Sequence, residues 1–169
     1  MPYRSFVLIC LCGLFLSGCS STDDTIRFDN FILATATIID TRIDDNSREY
    51  TIENKRHKTW DFLTIHKTTI AEDADHTTWV DSNTQILQQR YPQTIVWELQ
   101  EDSITCWDED IRATAIESSF ATGEDEDPLY FVQYFFIHED VAYVLIYSSM
   151  HKRSANRYMK LFSNIQCRL

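Results

Sequence analysis

From Thr94 onward the chain alternates between apolar and polar residues with period two, and short polar clusters interrupt it at close intervals. Ile95, Trp97 and Leu99 alternate with Val96 and Glu98, and Gln100-Glu101-Asp102 reads as a first turn into Ile104 to Trp107. Asp108-Glu109-Asp110 reads as a second turn, Ile111 to Thr122 as a long strand, and Gly123 to Pro128 (GEDEDP) as an acidic loop. Leu129 to Ile137 and Val141 to Ser148 are apolar on both faces and are separated only by His138-Glu139-Asp140. A strand apolar on both faces belongs in the middle of a sheet covered on each side. Connections this short force neighbouring strands to run antiparallel.

Two segments depart from that period. Thr77 to Tyr91 has helical spacing, with Trp79, Asn83, Ile86, Leu87 and Tyr91 along one side and Pro92 as the stop. Ser149 to Gln166 is a second amphipathic helix, with Ala155, Tyr158, Phe162 and Ile165 on one face, flanked by Met159 and Leu161. Lys152, Arg153, Arg157 and Lys160 lie on its outer face. Nearer the start, Ile26 to Ile43 suits one or two strands. Arg48 to Asn54 and Thr59 to Thr68 suit a hairpin about Lys55 to Lys58. The expected class is α+β, an antiparallel meander packed by two main helices.

The segment FFIHEDVAYVLIYSS followed by SANRYMKLFSNI, within Phe135 to Ile165, resembles the ending of the PsbP-like fold, in which a strand and a short turn lead to a terminal helix. That fold is shared by the photosystem subunit PsbP and by DcrB-like bacterial lipoproteins. The likeness is one of pattern and spans Thr77 to Cys167. It implies a PsbP-like sandwich and a non-enzymatic accessory or binding domain.

At the other end of the chain, Arg4 supplies a positive charge and Phe6 to Leu16 an uncharged apolar run. A run of this length is too short to span a bilayer, which takes about 20 residues, but it suits a signal peptide. Leu16-Ser17-Gly18-Cys19 resembles the lipobox of bacterial lipoproteins. The resemblance implies cleavage before Cys19 and acylation of its thiol, and two or more acyl chains hold a protein stably on a membrane. Residues 1–18 are then the signal peptide, 19–25 the lipidated end and a short tether, and 26–169 one domain. Ser20, in place of Asp, implies export to the outer membrane of a Gram-negative cell, with the domain facing the periplasm; the inner membrane and the cell surface remain alternatives.

Cleavage removes Cys10 and Cys12 and lipidation uses Cys19, which leaves Cys106 and Cys167. In an oxidising compartment this pair reads as a disulfide, closing a loop of about 60 residues for roughly 4 kcal/mol in the chain-entropy model. Two unpaired buried cysteines are the alternative. Neither cysteine belongs to a CxxC, which argues against redox activity.

Charge and glycine content narrow the function classes. Losing Arg4 takes the formal charge from −11 to −12, so nucleic acid and anionic headgroups are poor partners and a basic protein surface is a suitable one. Gly123 is the only glycine after the cleavage point, which excludes glycine-rich phosphate loops and the G-x-S-x-G elbow. The five histidines, His57, His66, His76, His138 and His151, show no paired metal-ligand spacing. Asp108, Glu109 and Asp110, with Glu124, Asp125, Glu126 and Asp127, match no EF-hand, so the expectation is no metal and no cofactor. These seven are instead the candidate partner-binding acidic loops. Asp81-Ser82 and Glu117-Ser118-Ser119 offer hydroxyl and carboxylate without a base, so no enzyme is expected. Trp60, Trp79, Trp97 and Trp107 read as core in preference to a ligand site.

The resulting expectation is a lipid-anchored envelope lipoprotein that binds a protein partner. The alternatives are an immunity protein that neutralises a basic toxin, a ligand carrier, and a hydrolase.

Overall fold

The computed structural model describes residues 25–29, 31–34, 37–71, 73–106, 109–121 and 127–167; the side chains of Ala34, Trp97 and Cys167 are outside the description. The strands are β1 (Thr25–Phe28), β2 (Phe31–Ala34), β3 (Ile38–Ile43), β4 (Ser47–Asn54) and β5 (Thr59–Thr69), followed by helix α1 (His76–Arg90). Then come β6 (Ile95–Cys106), β7 (Glu109–Phe120), β8 (Leu129–His138), β9 (Val141–Ser149), α2 (Lys152–Phe162) and β10 (Gln166–Cys167). The class is α+β, an antiparallel sheet with two helices.

Seven strands form the main sheet in the order β3-β4-β5-β9-β8-β7-β6. Two meanders meet in it. The first ends in β5; α1 carries the chain to the far edge; the second returns from β6 until β9 pairs antiparallel with β5, Leu63 opposite Tyr147. The doubly apolar segments are therefore β8 and β9, away from both edges. Register alternation sends Val132, Tyr134 and Phe136 of β8 into the main core with Leu145 and Tyr147 of β9, while Phe135 faces the other way.

That inner face is covered by α2 and by a small sheet, β1-β2-β10. Ala155, Tyr158, Phe162 and Ile165 are all buried, as the period-3.6 spacing predicts, and Lys152, Arg153, Arg157 and Lys160 are exposed. The helix is shorter than expected: Ser149 ends β9, and Gln166 and Cys167 pair with Ile32 and Phe31 of β2. Phe28 and Phe31 stack at 5.5 Å, and Phe31 meets Phe136 edge-on at 5.1 Å, which closes this side of the core.

On the outer face α1 packs through Val80, buried with Ile116 and Phe135, while Trp79 meets Phe135 edge-on at 5.6 Å. Asp75 caps the helix by accepting the Thr78 amide at 2.8 Å. Ile86, expected on the packed side, is 60% exposed; the apolar contact of α1 with the sheet is made by Trp79 and Val80, nearer its N-terminus.

Several expected turns are strand. Gln100-Glu101-Asp102 lies inside β6, which runs unbroken to Cys106. As a sheet edge this strand tolerates polar residues: Glu101 forms an ion pair with Arg112 at 2.8 Å, and Asp102 accepts the Tyr134 hydroxyl at 3.0 Å. Glu109 and Asp110, expected in a turn, belong to β7, opposite Cys106 and Thr105. Ile26 to Ile43 holds three strands, not one or two. The hairpin about Lys55 to Lys58 is present, with Asn54 opposite Thr59.

Candidate functional site

Successive side chains of a strand point to opposite faces, and β5 uses this to build two different surfaces. Outward, Trp60 is 67% and Phe62 50% exposed. Trp60 is thus not core, since α1 crosses β8 and leaves this end of the sheet uncovered. Phe62 and Phe131 flank Ser148 in the register, and Phe131, Phe120 and Tyr91 stack in parallel at 5.3 and 5.1 Å. An aromatic strip therefore runs across the uncovered end, with a small serine between Phe62 and Phe131. Opposite Trp60 and Thr64 on β4 stand Glu53 and Glu49, with Asp40 and Arg42 of β3 beyond them, so that three carboxylates against one guanidinium give the strip a net acidic border.

Inward, Asp61 is 3% exposed. The Tyr147 hydroxyl donates to its Oδ2, and Asn54 Nδ2 donates to the same oxygen at 2.8 Å. Asn54 Nδ2 also reaches Ser154 Oγ of α2 at 2.9 Å. Asp61 Oδ1 is buried without a hydrogen-bond partner among the described residues. Tyr147 stacks on Tyr158 at 3.6 Å and 10°; burial, and then the bond to Asp61, hold its hydroxyl firmly protonated. These groups floor a cleft of about 380 Å³, lined also by Ile52, Lys55, Arg56 and Arg157. At its side His57 stacks on His151 at 3.7 Å; desolvation, and then His151 itself, lower the His57 pKa and favour the neutral ring.

Of the seven acidic candidates, three lie among the described residues. Glu109 and Asp110 are exposed on β7, where Asp110 accepts the Thr105 hydroxyl at 2.8 Å, and Asp127 is exposed ahead of β8. Asp108, Glu124, Asp125 and Glu126 lie outside the described residues, as do Trp107 and Cys19. Glu117 and Ser119 share the inner face while Ser118 faces outward, and Ser82 donates to the Thr78 carbonyl at 2.8 Å. Among the described residues no three His, Cys, Asp or Glu side chains are grouped to hold a metal ion, and no helix is long and apolar enough to cross a membrane. Cys106 is buried at the end of β6, and β10, which carries Cys167, runs beside β6.

Neither surface was found from the sequence. Asp61 and Asn54 are single polar residues in a hairpin, and their convergence depends on β9 and α2, which follow much later in the chain. Trp60 and Phe62 did carry a signal, since they share one parity on a strand with Asp61 between them.

No protein-family model matches the chain, and no curated protein matches it. Among solved structures it is similar to a protein of unknown function from Pseudomonas aeruginosa, PA94, described as a candidate regulator. The two are 12% identical, with a TM-score of 0.53 over 80% of this chain and 92% of that one. At this identity the likeness shows the fold alone.

Proposed function

We propose that the chain is a lipid-anchored envelope lipoprotein whose domain, a PsbP-like sandwich, binds a protein partner on its outer face without catalysing a reaction. The observation that carries this reading is the exposed Trp60–Phe62 pair beside Glu49 and Glu53. Large aromatics supply contact area at low entropic cost and are enriched where proteins meet. The acidic border and the negative net charge favour a partner that presents apolar side chains next to Lys or Arg. Acylation at Cys19 adds confinement to the outer-membrane surface, which raises the local concentration of an envelope partner.

The test uses the full-length lipoprotein in cells. A photo-crosslinking amino acid at position 62 is expected to give a discrete adduct that Trp60→Ala abolishes, whereas the same label at position 156, on exposed α2, gives none. No adduct at 62, or equal adducts at both positions, would overturn the docking surface. A basic toxin as the captured partner would assign the protein to immunity. Cys19→Ala is expected to move the protein from the membrane to the soluble fraction.

A further inference from the structure

On the side of β5 away from the docking surface, the cleft over Asp61 has opposite charge at its floor and its rim. We propose that it binds a small zwitterion, taking the cationic nitrogen at Asp61 and the carboxylate at Lys55, Arg56 and Arg157. The floor is asymmetric: both hydrogen bonds to Asp61, from Tyr147 and Asn54, go to Oδ2, and Oδ1 is buried without a partner. Leaving a buried carboxylate oxygen without a donor is costly, and a charged N–H group is its strongest partner.

The rim carries three exposed cations, Lys55, Arg56 and Arg157; Glu53 also borders the cleft, but by register its side chain belongs to the Trp60 face. A purely cationic ligand meets repulsion there. A purely anionic ligand satisfies the rim but confronts Asp61. A dipolar molecule, oriented with its nitrogen inward, matches both ends. The volume, about 380 Å³, is at the lower end of ligand pockets and suits an amino acid or a dipeptide. Ile52 and the stacked Tyr147–Tyr158 pair supply apolar walls for its carbon skeleton. The position of Asp61 is set by β5, β9 and α2 together, so the floor is built before a ligand arrives.

The experiment is saturation-transfer NMR on the full lipoprotein in detergent micelles, titrated with the common amino acids and dialanine, and with propylammonium and propionate as single-ended controls. At least one zwitterion is expected to bind saturably, with both controls at least about tenfold weaker, as loss of one charged contact implies. Asp61→Asn is expected to weaken the zwitterion about tenfold and to strengthen propionate, whose repulsion by the carboxylate it removes. Arg157→Gln, at an exposed position that does not threaten folding, is expected to weaken the zwitterion and propionate alike. Absence of saturable zwitterion binding, propionate binding as tightly as the best zwitterion, or indifference to Arg157→Gln would overturn the proposal. None of these results depends on the crosslink from position 62, so the two readings fail separately.

Discussion

Glu117 shows how one side chain sets a pH dependence. It sits on the inner face of β7 at 8% exposure, opposite Glu98; burial, and then the Glu98 charge, raise its pKa, with Lys152 partly compensating. In the unfolded chain the carboxyl ionises near its ordinary value, below the folded one. The unfolded state therefore releases this proton first, and the Glu117 contribution to stability falls as pH rises through that window. Glu117→Gln is expected to raise the urea midpoint at about pH 7 and to have little effect below about pH 4, measured by fluorescence-detected unfolding. The burial of Glu117 was not legible in the sequence, because a carboxylate in an alternating strand is read as solvent-facing. It is enclosed because β7 lies between β6 and β8, with its side chain on the face that carries the main core. The turns follow a similar logic: Asp29, Lys58 and Glu139, none of them glycine, take positive φ at 47°, 54° and 56°. A non-glycine residue there costs roughly 1 kcal/mol.

At the scale of elements, the two helices divide between the predicted and the unpredicted. The α2 face is continuous over three turns, and burial follows it at every position. Phe162→Ala is expected to cost about 3–5 kcal/mol in denaturant unfolding, since its ring is fully buried against Tyr134 and Tyr158. On α1 the pattern is weaker, and Ile86→Ala is expected to change stability by less than about 0.5 kcal/mol. A loss comparable to that of Phe162→Ala would mean that Ile86 is covered in the folded protein. Strand β6 failed as a sequence reading for a related reason. Three consecutive polar residues signal a turn in a chain whose strands are buried, but an edge strand keeps its backbone pairing while its side chains reach water or cross-strand partners such as Arg112.

At the scale of the molecule, the β5–β9 pairing fuses two meanders by joining strands that are separated in sequence by α1 and three strands. The proposed Cys106–Cys167 bond would tie the edge strand β6 to the chain end that completes the small sheet. Cys106→Ser is expected to lower stability by about 4 kcal/mol, and reduction of the native protein by a similar amount. Equal midpoints for oxidised native protein and variant, or an unchanged electrophoretic mobility on reduction, would remove the pairing.

The class, the two central strands, the hairpin about Lys55 to Lys58 and the buried stripe of α2 were determined by the sequence alone, because hydrophobic periodicity and short connections are local properties. Tertiary structure decided the strand order, the extent of β6, the uncovered aromatic strip and the convergence of Asn54, Asp61, Tyr147 and Ser154. Each of these depends on which faces are covered by elements distant in the chain, and periodicity carries no information about what lies opposite a face.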